Sequence, residues 1–207
     1  MLTILGHAVS INVRKVLWTC AELDLEYTLD AWGGTSRSTS SPSFLALNPN
    51  ATVPVLRDGD LVLWESNTIC RYLAARYGDG ALLPTAPGPR AQVEQWMDWQ
   101  ATDLNSAWRY AFMHLVRRNP AFSDAAAAEA SAQEWNRRMT ILDGQLAHTG
   151  AYVAGAEFSL ADIVIGLSVN RWLLSPIARP ELAAVAAYHE RLLQRPGYAA
   201  HGANGLP

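Results

Sequence analysis

Cysteine is nearly absent from this chain. Cys20 and Cys70 are the only two in 207 residues, too few for a disulfide framework and not at a metal-ligand spacing. A reduced, cytoplasmic setting without a metal site is the expectation. Long apolar runs are missing as well. Nothing approaches the roughly 18 consecutive residues of a membrane span, and Met1–Gly6 has neither the basic region nor the apolar core of a secretory signal. There is no basic excess: sixteen basic against nineteen acidic side chains leave a net charge of −3, whereas a duplex-binding domain carries a basic face. Lysine is reduced to Lys15 alone, which reads as a compositional bias toward arginine. The low hydrophobicity of a disordered chain is not found either, since half of the residues are apolar. What is abundant is tryptophan, at eight copies, in a length that suits one large domain or two small ones.

Residues 1–78 mix strand and helix signals. Thr3–Leu5 reads as a strand. Val13, Val16, Leu17, Cys20 and Leu23 then recur on one helical face, with Arg14, Lys15 and Glu22 off it. Tyr27–Asp30 alternates as a second strand, and Gly33–Ser43 is a loop by composition. Val53–Arg57 and Leu61–Glu65 form a hairpin around Asp58-Gly59, and Ile69, Tyr72 and Leu73 mark a helix ending near Gly78. A βαβ crossover makes the first two strands parallel and the hairpin makes the last two antiparallel. Residues 79–90, with Pro84, Pro87 and Pro89, read as a linker. From 91 to 207 the strand signals stop. A long helix of about 25 residues or more carries Val93, Trp96, Met97, Leu104, Trp108, Phe112 and Leu115. Further helices are expected over Ala125–Ala147, Leu160–Leu174 and Pro180–Gln194, the third apolar all round and so buried. Pro180 is placed near the start of the last, and Pro196-Gly197 at its stop. Trp96 and Trp135 are expected in the core.

Four local features bear on chemistry. Val53-Pro54 lies within a strand run; a cis bond there turns the N–H and C=O of Val53 toward a peptide adding as an extra strand. Glu65-Ser66 opens a helix, with Ser66 as N-cap and the first-turn N–H groups as an anion site. Ser10-Ile11-Asn12 opens the first helix, where hydroxyl, amide and helix terminus all favour negative charge. Ser159-Leu160-Ala161-Asp162 fits a capping box, a folding device.

The order of these features, with Asn48-Pro49-Asn50-Ala51-Thr52-Val53-Pro54 followed by Trp64-Glu65-Ser66-Asn67, resembles the glutathione transferase family, in particular its serine-type, theta- and nu-like bacterial members. The resemblance covers essentially the whole chain. It implies an α/β thioredoxin-like N-terminal domain and an all-α C-terminal helical bundle, working as a homodimer with glutathione as co-substrate. By position, Ser10 resembles the thiolate-binding serine, and Asn12 a thiolate-binding asparagine. Val53, in Thr52-Val53-Pro54, resembles the backbone partner of the cysteinyl group, and Glu65 and Ser66 the pair holding the γ-glutamyl end. The loop Gly6–Ser10 has no tyrosine, so a tyrosine mechanism is excluded, and neither cysteine lies at the helix start. The family often has a basic residue where Thr52 stands. Arg37 is then the candidate for the glycyl carboxylate, and Asp103 for reaching the γ-glutamyl amine across the dimer.

The resemblance implies conjugation of a small apolar electrophile, with Trp108, Arg109, Phe112 and Met113 lining its pocket. The alternatives are a glutathione-dependent disulfide reductase on the same fold, to which Asn12 beside Ser10 lends weight, and a non-catalytic interaction module.

Overall fold

The computed structural model describes all 207 residues, Met1–Pro207. The N-terminal half runs β1 (Leu2–Gly6), α1 (Ile11–Glu22), β2 (Tyr27–Ala31), α2 (Pro42–Leu45), β3 (Val55–Asp58), β4 (Leu61–Trp64) and α3 (Ser66–Tyr77). Its four strands lie in the order β2-β1-β3-β4. β1 is parallel to β2 and antiparallel to β3, and β3 is antiparallel to β4. Asp58 pairs with Leu61, so the turn is Gly59-Asp60, with Gly59 at φ 59°, a conformation glycine adopts without a Cβ clash.

Period-two alternation sorts the sheet into two faces. Ile4 pairs with Leu56, and both join the main core beneath α1 and α3. Leu5 pairs with Val55, and both turn to a smaller cluster with Trp32 and Phe44, the latter on α2. This mixed, half-helical layer is the expected thioredoxin-like arrangement.

The second half is all helix: α4 (Pro87–Trp99), a π-helical turn (Gln100–Leu104), α5 (Asn105–Leu115), a 3-10 turn (Pro120–Phe122), α6 (Ala125–Thr149), α7 (Leu160–Leu174), α8 (Ala183–Leu193) and α9 (Pro196–His201). The long helix expected from about Val93 is thus continuous from Pro87 to Leu115 but contains a π-turn. It begins inside the proline-rich stretch read as linker, because proline suits the first helical turn. The same rule corrects the chain's end: α8 starts at Ala183, leaving Pro180 outside, and Pro196 opens α9 as well as closing off α8. α7 is the central post, buried from Leu160 to Trp172. Trp135 is fully buried as expected, but Trp96 is only half-buried, stacked edge-on against Trp99 near the surface.

The two halves meet at α1, which packs on α7 and α9 as well as on α3. Arg14 and Lys15, on the face read as polar, are therefore buried at 1% exposure each. Trp18 fills the junction, 5.0 Å from Tyr198 between ring centroids. A Cβ on Gly197 would meet the Trp18 ring at 2.6 Å and one on Gly166 at 3.1 Å, so α7 and α9 approach this closely only as glycine. No helix is long and apolar enough to cross a membrane.

Candidate active site

Strand polarity gathers four separate segments at one end of the sheet. Parallel β1 and β2 both end there, at Gly6 and Ala31, while β3 starts there at Val55 and β4 ends there at Trp64. Ser10, Val53-Pro54, Glu65-Ser66 and the Arg37 loop all follow or precede those strand ends directly. A Cβ on Gly6 would lie 2.5 Å from Val13 and 3.5 Å from the Val53 Cβ; the bare glycine lets the α1 start and the Val53 loop close together. The Val53-Pro54 bond is cis. Asn48, 1% exposed, fixes the loop before it by donating from Nδ2 to the Thr52 carbonyl at 2.8 Å and to the Thr52 hydroxyl at 3.2 Å. Thr52 is thereby engaged within the loop, whereas Val53 makes no backbone hydrogen bond.

Both helix starts at this end are chemically open. Ser10 is the N-cap of α1 with extended backbone, φ −73° and ψ 124°, yet its hydroxyl makes no capping bond. Asn12 sits half-buried in the first turn. At α3 the cap differs from expectation: Glu65, not Ser66, is the N-cap, and Ser66 is the first helical residue. The reason is the backbone of Glu65, held at φ 71° and ψ 110°, a left-handed conformation uncommon outside glycine and characteristic of functional sites. Glu65 is exposed and makes no capping bond, and Ser66 is 6% exposed. Neither helix has an acid in its first turn, so the partial positive charge at each start is unopposed there. A carboxylate acceptor beside a hydroxyl and free N–H groups suits a group bearing an ammonium and a carboxylate together, and a second helix start beside an open backbone suits an extended peptide carrying an anion.

Both family descriptions that match the chain agree with this geometry: the glutathione S-transferase N-terminal domain over residues 5–84 and the C-terminal domain over residues 106–196. The chain belongs to the glutathione transferase family. It is 40% identical over 201 residues to the glutathione S-transferase GstB of Escherichia coli, covering 95% of each chain, and 33% identical to glutathione S-transferase 3 of Zea mays, over 95% of this chain and 91% of that one. The theta class glutathione S-transferase of Xanthomonas axonopodis pv. citri, solved with glutathione bound, superposes with a TM-score of 0.90 at 40% identity, over 97% of this chain and 96% of that chain. The protein is thus an enzyme of this family, with its thioredoxin-like and helical halves.

The other expected positions in this glutathione transferase are exposed in whole or in part, or already engaged by the chain itself. Arg37 stacks over the Trp32 ring at 4.1 Å, is ion-paired with Asp30 and donates from Nε to the Ala31 carbonyl at 3.2 Å. Its guanidinium is engaged along β2. Asp103 is exposed on the π-turn, 3.9 Å from Arg138. On α5, Arg109 is exposed and Met113 half-buried. Trp108 and Phe112 stack edge to face, with centroids 5.4 Å apart, and Phe112 is 3% exposed. Phe112 is packed beneath Arg171 rather than open to a pocket, with the guanidinium carbon 4.2 Å from its ring centroid and 4.5 Å from that of Trp108.

Three buried cations escaped the sequence reading: Arg14 at the seam of the two halves, Lys15 and Arg171. Lys15, the lone lysine, donates from Nζ to Asn67 Oδ1 at 3.0 Å and to Gln100 Oε1 at 2.7 Å. Gln100 opens the π-turn and donates in turn to Asn105 and to Ser168, so the network ties α1 to α3, α5 and α7. Its partners are neutral amides, and burial pulls the Lys15 ammonium down to about 8. Arg171 is 3% exposed, with its Nε unpartnered. The available signal was an arginine inside a helix otherwise read as apolar on every side.

Proposed function

We propose that the enzyme binds glutathione along the open sheet end and holds its sulfur as a thiolate at the start of α1, where it attacks a small electrophile seated against α5. The observation that carries this reading is the Ser10 hydroxyl, placed at the N-cap of a 12-residue helix and left without a capping bond. Val53 offers its free N–H and C=O to the tripeptide backbone as an added strand would. Glu65 accepts from the γ-glutamyl ammonium, and Ser66 with the α3 start donates to the adjoining carboxylate. The theta class relative solved with glutathione bound supports the choice of tripeptide.

Magnitudes are consistent with this. A free thiol at about 8.5 is only ~3% ionised at pH 7. Bringing it to about 6.5 makes it mostly thiolate and needs about 2.7 kcal/mol of preference for the anion. A hydroxyl donor to a charged acceptor contributes roughly 1.5–3 kcal/mol, and a helix start about 0.3–1 kcal/mol. Ser10 donates and keeps its own proton, so no general base is required; Asn12 is a second donor. The protein's thiols take no part, because both cysteines are buried and burial pushes Cys20 up to about 12 and Cys70 up to about 11. Disulfide reduction, the second reading favoured by the pairing of Ser10 with Asn12, would run through the sulfur of glutathione alone.

The reading includes a homodimer in the cytoplasm, with Asp103 of one subunit reaching toward its partner's glutathione. Titration calorimetry tests the binding half. Glutathione should bind the wild type, Ser66→Ala should weaken binding about tenfold, the loss of one charge-assisted hydrogen bond, and Ser10→Ala should leave affinity within about threefold. Undetectable binding at millimolar excess would end the proposal, and an unchanged dissociation constant in Ser66→Ala would remove that residue from the site.

A further inference from the structure

Lys15 is the only lysine of the chain, and it stands where a lysine is costly. It lies in the second turn of α1 at 1% exposure, and its hydrogen-bond partners are two neutral amides. A buried ammonium is ordinarily matched by a carboxylate, because an uncompensated charge is costly to keep out of water. An apolar side chain of similar volume in its place is often neutral or stabilising, so stability does not account for Lys15. Of the ionised groups that bear on it, Arg171 repels it and Glu65 attracts it. Glu65 is the only carboxylate among them, and it is the N-cap of α3.

The hydrogen bonds of the lysine lead to the same turn. Asn67, the second residue of α3 and 8% exposed, has both ends of its amide committed. Its Oδ1 accepts from Lys15 Nζ at 3.0 Å, and its Nδ2 donates to the Met97 carbonyl on α4 at 2.8 Å. Lys15 also donates to Gln100 at 2.7 Å, where α4 gives way to the π-turn. The first turn of α3 is thus fastened to α1 and α4 directly after Glu65 and Ser66. Glu65 needs that restraint. Its backbone, at φ 71°, is one that a residue with a Cβ keeps only where its surroundings over-determine it, and its own side chain makes no capping bond. We propose that Lys15 is a positioning residue for the γ-glutamyl end of the site: through Asn67 it holds the Glu65-Ser66 turn in the geometry that takes the tripeptide's ammonium and carboxylate. This rests on the glutathione-binding reading above. Lys15 itself touches no substrate. Gln100 keeps Asn105 and Ser168 as partners with or without the lysine, so the α5 side of the site is not expected to follow.

The test is titration calorimetry with glutathione on the wild type, Lys15→Met, Ser66→Ala and the double variant. Lys15→Met should bind about fivefold more weakly than the wild type. Ser66→Ala, expected to cost about tenfold in the wild type, should cost no more than about twofold in the Lys15→Met background, because the turn that aims Ser66 is then already loose. In turnover with chlorodinitrobenzene the Lys15→Met defect should fall on the KM for glutathione, with kcat and the KM for the electrophile within about twofold of wild type. Lys15→Met should be at least as stable as the wild type at pH 7, which separates lost binding from lost folding. Asn67→Ala cuts the same link from the other side. It should reproduce the fivefold loss and the blunted effect of Ser66→Ala, and it decides the matter where Lys15→Met does not fold. Affinity within about twofold of wild type in these variants would overturn the inference. So would additive losses, about fiftyfold in the double variant, which would make Lys15 a support of the fold without a hold on Ser66. Wild-type protein that binds no glutathione overturns the reading of the site and this inference with it. Wild type that binds while Lys15→Met binds equally well overturns the inference alone.

Discussion

Ser10 and Ser159 occupy the same local position in the two halves of the enzyme, the N-cap of a helix, and use it in opposite ways. Ser159 is 4% exposed, and its N–H and hydroxyl both donate to Asp162, at 2.8 and 3.0 Å. Asp162 accepts further from the Val153 N–H and the Tyr188 hydroxyl. Every group at that cap is satisfied, which makes it a device for stability. Ser10 is half-buried, and its hydroxyl is unused by the chain. A capping group left open where it could have closed on its own helix is available to a ligand; on the proposed reading the helical half holds the architecture and the sheet end binds glutathione.

The contrast breaks most visibly at Asp162. Asp162→Ala strips the acceptor from four buried donor groups, at roughly 1–3 kcal/mol for each group left unpaired, and should cost about 4 kcal/mol in denaturant unfolding. A loss below about 1 kcal/mol would mean that the cap is no more structural than that of Ser10.

Lys15 sharpens the comparison at the seam between the halves. Its ammonium is held at about 8 against 10.5 in the unfolded chain. Between those two pH values the unfolded state binds the extra proton, so stability from this group is lowest below pH 8 and rises as pH climbs through the window. The stability of the wild type relative to Lys15→Met should therefore improve by about 3 kcal/mol across that range. A pH-independent difference between the two would show that Lys15 is not desolvated in the folded state.

The smallest effect expected is at Ser159 itself. Ser159→Ala should destabilise by about 1 kcal/mol in thermal unfolding, without altering glutathione affinity. A change in affinity would blur the division of labour between the two caps.

Much of this division was legible because its signals are local. The Gly59 turn, the Ser159 to Asp162 spacing and the limits of α7 depend on neighbours within a few residues. The convergence of Ser10, Val53 and Glu65 is not local: it was expected from the family resemblance, and strand order brings it about. The cap of α3 was misplaced by one residue because nothing in the sequence marks Glu65 as adopting a positive φ. The pairing of Arg37 with Asp30 and its stacking on Trp32 were not legible, because they depend on the path of an irregular loop. Arg14 and Lys15 were missed for a deeper reason. A charged residue off the apolar face of a helix is read as solvated, and only the packing of a second layer, here α7 against α1, turns that face inward.

The most direct measurement of the central claim is an ultraviolet titration of the thiolate in the glutathione complex. Wild-type enzyme should show the bound sulfur half-ionised near pH 6.5, and Ser10→Ala should move that midpoint to about 8, with most of the anion preference lost. A wild-type midpoint near the ~8.5 of free thiol, or the same midpoint in both proteins, would contradict the assignment of Ser10 as the donor that makes glutathione a nucleophile.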